Sequence, residues 1–288
     1  MSKDLKPADM RIFRKLKLWQ KLGFAMLSMG ILPMMIVTIS ASTSASQSIK
    51  EQAFSKLEAV RQIKSNAVLK HFEDSQSVIN TIASQPDVIR AANELKSSFN
   101  RYAMELGFSP EQIEVMRDEL SSYYYDEFAA EYKERNGKKV DVTRLVSDLS
   151  PIAVALQHAY ILENPNPLGE KDAMYNVPNS STYNRHHNQH HGMFRQILQE
   201  FGYYDIFLVD PESGHIYYSV FKELDYATSL ITGSYADTNF AQAFNKTATT
   251  NQGVTVDFNQ YYPSYHAPAS FQSVPVMDGE RTAAILVF

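Results

Sequence analysis

Cysteine is absent from all 288 residues, which excludes a disulfide framework, a thiolate metal site and a cysteine nucleophile. Stability must then come from a packed core, and roughly 247 residues after Ala41 are well above the size at which cross-links become necessary. Tryptophan occurs once, as Trp19, and glycine only 11 times. No glycine run of the kind that cradles phosphate is present. No strand-turn-helix elbow surrounds Ser181 or Thr182, and carboxylate pairs fall on polar faces, so the chain is expected not to be an enzyme. Internal repeats and low-complexity tracts are also missing. What is plentiful is aromatic: 17 Tyr and 16 Phe.

The most consequential absence is of charge. None occurs between Lys21 and Lys50, and residues 22–41 match a hydrocarbon core of about 30 Å at about 1.5 Å per residue. Pro33 inside this run removes one helical donor, which membrane helices tolerate. On the N-terminal side Lys3, Lys6, Arg11, Arg14, Lys15, Lys17 and Lys21 outweigh Asp4 and Asp9. The positive-inside rule therefore makes residues 1–21 a cytoplasmic tail and exports the rest. Trp19 suits the headgroup layer. The tail is worth about +5 and the whole chain −5, so the exported body is acidic, which argues against nucleic acid as a partner. The small residues at 40–46 would also suit a signal peptidase. Signal h-regions run about 7–15 residues after shorter basic tails, which favours an uncleaved anchor.

Beyond the span, Ile49, Ala53, Leu57, Val60, Ala67, Phe72, Ile79 and Ile82 recur at helical spacing with no Gly or Pro between them. This reads as a stalk continuing from the membrane helix, with a stripe for a helix of the same chain or of a second copy. Ser84-Gln85-Pro86-Asp87 marks a break and restart. Ser109-Pro110-Glu111-Gln112 combines an N-cap, a first-turn proline and a capping-box Gln, and the helix it opens carries Ile113, Met116, Leu120, Tyr124 and Phe128 toward Gly137. Ser150-Pro151 repeats the start signal. Residues 42–170 are therefore expected to be helical, followed by a last helix over 181–200.

Strand patterns then take over. Residues 204–210 and 215–222 flank a Pro211-Glu212-Ser213-Gly214 turn, a helix is expected over 236–246, and strands at 254–259, 270–277 and 282–288 follow, with Asp278-Gly279 as a hairpin turn. The expected class is α+β, an antiparallel sheet with helices segregated to one side. The last strand stops in an apolar run, Ala283-Ala284-Ile285-Leu286-Val287-Phe288, so the chain is expected to be a fragment of a longer protein.

These residues carry a resemblance. Leu156-Gln157, Asn164-Pro165-Asn166-Pro167-Leu168-Gly169-Glu170-Lys171, Phe201-Gly202-Tyr203-Tyr204-Asp205-Ile206-Phe207-Leu208-Val209-Asp210, Tyr218-Ser219-Val220-Phe221-Lys222-Glu223-Leu224-Asp225, Asp257-Phe258 with Tyr262-Pro263-Ser264, and Pro268-Ala269-Ser270-Phe271 are quoted as they stand. Over residues 156–288 the chain resembles the sensor region of bacterial methyl-accepting chemotaxis receptors with an extracytoplasmic Cache (PAS-like) domain, a region shared with some membrane adenylate cyclases. The resemblance implies an incomplete Cache domain over 171–288, placed outside the bacterial inner membrane in the periplasm. The stripe on the stalk helix is the basis for expecting a homodimer through it. A second span, a HAMP-type relay and an output module that meets cytoplasmic signalling partners would lie in a missing C-terminal part. A cyclase or other signalling enzyme is the alternative output, and an adhesive protein that binds no solute is a third reading. No cofactor is implied.

In a PAS-like sheet the small-molecule pocket would be expected near Tyr218, Ser219, Lys222, Asp225, Tyr235, Asp257, Tyr261 and Phe271. Tyr and Phe on strands are more often core than pocket. Lys222, followed by Glu223 and Asp225, is expected to meet a carboxylate-bearing ligand, against the plainer reading of a surface ion pair. The Arg-x-Trp-Tyr element of amino-acid-binding relatives is missing. His186, His187, His190 and His191 fall one helical turn apart in two pairs, the spacing at which imidazoles share a metal. Without further ligands they read instead as a solvated helix face, or as a cluster that resists protonating together.

Overall fold

The computed structural model describes residues 17–288. Lys3, Asp4, Lys6, Asp9, Arg11, Arg14 and Lys15, on which the expected cytoplasmic tail rests, lie outside the described residues.

Helix α1 runs without interruption over Leu18–Ala83, 66 residues, or about 100 Å. Nothing after Pro33 in this stretch disfavours helix by missing a donor or a Cβ. Two hydroxyls in the apolar part bond back to their own helix, Thr38 to the Met34 carbonyl at 2.8 Å and Ser28 to that of Ala25 at 3.0 Å, so these two present no unpaired donor to an apolar surrounding. An 18-residue window of α1 reaches a mean hydropathy of 2.1 with none of it buried. Among the described residues α1 is the one helix long and apolar enough to cross a membrane.

Contacts divide the chain after Lys70. In the first unit the expected stripe of Ile49, Leu57 and Val60 is exposed at 67, 66 and 49%. The second unit begins at His71, where the last turns of the same helix carry Ile79, Ile82 and Ala83 into a core. Pro86 ends α1, because Gln85 before it is extended (φ −69°, ψ 134°). α2 follows over Pro86–Phe99, then the short α3, Tyr102–Glu105.

α4, Pro110–Tyr123, opens with the expected capping box. Ser109 Oγ accepts from the Gln112 amide and Gln112 Oε1 from that of Ser109. A π-helical turn over Tyr124–Phe128 leads into α5, Ala129–Asn136, which ends on Gly137 at φ +66°. α6 (Thr143–Ser147) and α7 (Pro151–Gln157) complete the helical region. Ser150 caps α7 through the Ala153 amide. Gln157 then ties this region to the strands: Tyr124 donates to its Oε1, and its Nε2 donates to the carbonyls of Leu224 and Tyr226. α8 spans Thr182–Phe201.

The fold is α+β. β1 (Phe207–Val209), β2 (Ile216–Ser219), β3 (Val254–Tyr261), β4 (Ala267–Asp278) and β5 (Arg281–Val287) form one antiparallel sheet in the order β2-β1-β5-β4-β3. α9, Asn239–Thr250, crosses between β2 and β3. The two-residue turn after Asp278 pairs it with Arg281, with Gly279 at φ +64°.

One expectation is corrected: the helices are not segregated to one side. Consecutive strand residues point to opposite faces, and Ser273 bonds Thr247 of α9 while its neighbour Gln272 bonds the Phe72 carbonyl of α1. The sheet is therefore covered on both faces. This is why β1, β2 and most of β5 are buried throughout and show no polar alternation. β1 and β2 are shorter than their apolar runs because Asp205 and the residues after Ser219 leave the ladder for side-chain bonds.

A solute-sized cavity and the buried cluster behind it

α8 stops at Gly202, whose φ of +71° lets its amide close on the Leu198 carbonyl and turns Tyr203, Tyr204 and Asp205 toward the sheet. Asp205 is buried and saturated. It accepts from the amides of Ile206 (2.6 Å), Val220 (2.9 Å) and Phe221 (3.2 Å) and from the Ser219 hydroxyl (2.8 Å). Burial raises its carboxyl to about 6, with those donors pulling the other way. The side chain clamps the end of β2 to the start of β1.

After β2 the backbone turns at Lys222, φ +56°, an unfavourable conformation for a residue with a Cβ. The turn sends Lys222 and Glu223 to different surroundings. Lys222 is 1% exposed, donates to the Val220 carbonyl at 3.0 Å, and lies 5.7 and 6.0 Å from the ring centres of Tyr218 and Tyr160. Burial lowers its ammonium to about 7, opposed by Asp205 and Asp172. Glu223 is half-buried and accepts from the hydroxyls of Tyr204 (2.8 Å) and Ser264 (3.2 Å). Burial, then the charges of Asp225 and Asp205, raise it to about 8.

Glu223 borders a cavity of about 380 Å³, within the range of small-molecule sites. Its walls come from the end of α1 (His71, Phe72, Ser75), from residues 202–207, and from β3 and β4, including Phe258, Tyr261 and Phe271, with Phe288 at one end. The helix is laced to the sheet at this wall. Ser75 donates to Gln272 Oε1 and receives the Tyr203 hydroxyl, Gln272 Nε2 reaches the Phe72 carbonyl at 3.1 Å, and Thr255 donates to Gln76 at 3.0 Å. A second cleft of about 430 Å³ shares Tyr204 and Glu223 and adds Glu127, Glu131, Arg135 and Tyr265. In it the Arg135 guanidinium pairs with Glu131 and lies 4.4 Å over the Tyr265 ring.

Of the expected ligand residues, Tyr261 and Phe271 line the cavity and stack edge to face at 5.1 Å. Asp225 lies behind them, accepting from the Tyr261 hydroxyl at 2.6 Å. Its Oδ1 and the Tyr235 hydroxyl have no hydrogen-bond partner among the described residues. Tyr218 and Ser219 are consecutive on β2 and part company: Ser219 bonds Asp205, and Tyr218 turns to His191. Asp257 is exposed and outside the cavity. The surface-ion-pair reading of Lys222 does not hold. The side chain is too buried for a surface ion pair, joins no ion pair among the described residues, and does not line the cavity.

The four histidines also diverge, and the solvated helix face is overturned: His187 and His191 are fully buried and His190 is 4% exposed. His186 and His190 meet α2, at the Glu94 carbonyl (3.0 Å) and carboxylate (2.6 Å). His187 and His191 stack 4.5 Å apart and face the strands. Since the Asp172 carbonyl can only accept, His191 Nε2 carries the proton and Nδ1 accepts from Tyr218. Burial, with Lys222 next, lowers His191 to about 2 and depresses His187 strongly. Both are neutral packing groups. No cluster of three or more candidate metal ligands forms among the described residues.

Sequence reasoning missed Glu223, Tyr204 and the α1 residues as site components. The available signal was the adjacency of Lys222 and Glu223, since a turn between oppositely charged neighbours must send them apart. Nothing in the α1 pattern distinguishes Phe72 and Ser75 from the stalk before them. Comparison with known proteins found no matching family model, characterised protein or solved structure.

Proposed function

We propose that the chain is the sensor region of a transmembrane receptor of the chemoreceptor type, holding a small-solute-binding PAS-like (Cache) domain in the periplasm from a bacterial inner membrane. The observation that carries this reading is the cavity of about 380 Å³ whose wall includes Phe72 and Ser75 of α1, the helix whose apolar N-terminal part is suited to a membrane. A solute held there touches the sheet and the helix together. The five-stranded antiparallel sheet, with the helix α9 crossing between β2 and β3, is compatible with the reading.

The mechanism is a shift between two arrangements of the α1–sheet seam. A solute that favours one arrangement by about 1–3 kcal/mol changes their ratio about 5–150-fold. The switch elements are the bonds from Ser75 and Gln76 to Gln272 and Thr255, which a ligand in the cavity would tighten or loosen. The exposed stripe of Ile49, Leu57 and Val60 is the surface on which a second copy would pair.

The test is a thermal-shift screen of the full chain in nanodiscs against amino acids, organic acids, amines and divalent metals, with Ala269→Trp as the filled-cavity control. A solute that raises the melting temperature of the natural chain and not of Ala269→Trp is the expected result. Stabilisation that survives the tryptophan, or none by any compound, refutes it.

A further inference from the structure

We infer that the solute is an organic cation, an ammonium group on a partly apolar body, received by the Glu223 carboxylate. The inference rests on the cavity being the binding site and names what that site selects. Lys222, the cation nearest in sequence, is turned away and buried against Tyr160 and Tyr218. The cavity walls carry two carboxyl groups, Asp205 and Glu223, one imidazole, His71, and neither Lys nor Arg. A ligand carboxylate would enter a site with no fixed cation and two acids. An ammonium would meet the reverse.

Of the two acids only Glu223 has room for a ligand. Asp205 already accepts four hydrogen bonds, while Glu223 accepts one at each oxygen, from Tyr204 and Ser264. An ionised carboxylate offers about four acceptor positions, so two remain. The aromatic rings of Phe72, Phe258, Tyr261 and Phe271 supply the faces that attract a cation and cover an apolar body. Phe72 and Phe258 already meet edge to face at 6.5 Å.

The charges around Glu223 make its own proton part of the recognition. Asp205 and Asp225 stand behind it. Glu127, Glu131 and the already paired Arg135 line the neighbouring cleft. Lys171 and Lys222 border a small gap on its third side, and His71 shares the cavity. With burial and two acids raising Glu223 to about 8, the empty site holds a proton at neutral pH, and an arriving ammonium displaces it. Binding then releases close to one proton at pH 7 and almost none well above pH 8.

The experiment is titration calorimetry of the full chain in nanodiscs with 2-phenylethylamine, 2-phenylethanol and phenylacetate, three probes with one apolar body and three charges. Runs at pH 7 in two buffers of different ionisation enthalpy read the protons released. The amine is expected to bind at least about tenfold more tightly than the other two, and Glu223→Gln to erase that preference. Tyr204→Phe, which keeps the acid and loses one donor to it, is expected to retain the preference and serves as the check that the site survives substitution. Equal or tighter binding of phenylacetate, an amine preference that persists in Glu223→Gln, or no amine binding overturns the proposal. If the amine fails while another solute binds in an Ala269-dependent way, the cavity reading stands and only the cation assignment falls. If no solute binds, both fall.

Discussion

Replacing Lys222 by methionine tests whether this lysine is a buried charge tolerated by the fold or a group waiting for an anionic partner. Its ammonium is 1% exposed and has one carbonyl acceptor. Its folded-state value is lowered from 10.5 to about 7. As pH falls from 10.5 to 7 the unfolded chain takes up a proton that the native state refuses, so the native state loses stability across that window and no more below it. At about 1.4 kcal/mol per pH unit the loss amounts to roughly 4 kcal/mol at pH 7. Methionine removes that loss and keeps the sulfur against the Tyr160 and Tyr218 rings, but strips the Val220 carbonyl of its donor, costing about 1–3 kcal/mol. The net expectation at neutral pH is a gain of roughly 2 kcal/mol that reverses above pH 10. Urea unfolding of the full chain, followed by circular dichroism between pH 6 and 11, measures it. A loss of more than about 2 kcal/mol at pH 7, with flat wild-type stability from pH 7 to 10, would refute the reasoning.

Three further outcomes follow from the packing. Gln157→Leu leaves the Tyr124 hydroxyl and the Leu224 and Tyr226 carbonyls unpaired in the core, and is expected to cost about 3 kcal/mol or more in chemical unfolding. Gly233→Ala places a Cβ 2.6 Å from the Ser229 carbonyl oxygen, a backbone clash worth about 1–3 kcal/mol in the same assay. Gly253→Ala meets the flexible end of Gln76 at 2.8 Å and a Val274 methyl at 3.3 Å, and no backbone atom among its nearest neighbours. It should cost less than the Gly233 change while disturbing the Gln76–Thr255 bond, which hydrogen exchange at residues 71–83 would report as faster opening.

The long apolar N-terminal helix, the capping box at Ser109, the α7 start at Ser150 and the existence of five strands were legible in the sequence, because each depends on local signals: a charge gap, a cap with its proline, or an apolar run between turns. Sidedness was less legible. A sheet buried on both faces loses the alternation that tells inside from outside, so helices on its two sides could not be assigned from pattern. The burial of the histidines and of Lys222 was not legible for a related reason. His187 and His191 find Tyr175, Asp172 and Tyr218 on other segments, and Lys222 is covered by Tyr160 from the helical region. Tyr261 and Phe271 were reached through the family resemblance, whereas Glu223 entered the site only once the turn at Lys222 was visible.

The absence of cysteine gives the most direct test of the cavity itself, since a single introduced thiol reports one position. Ala267 is exposed and lines the cavity, and Ser122 is exposed on α4 away from it. Alkylation rates of Ala267→Cys and Ser122→Cys in the full chain would be compared with and without 2-phenylethylamine, phenylacetate and 2-phenylethanol. The account predicts that at least one of the three slows alkylation at position 267 several-fold and leaves position 122 unchanged. Rates at 267 indifferent to all three, or slowed equally at both positions, would contradict it.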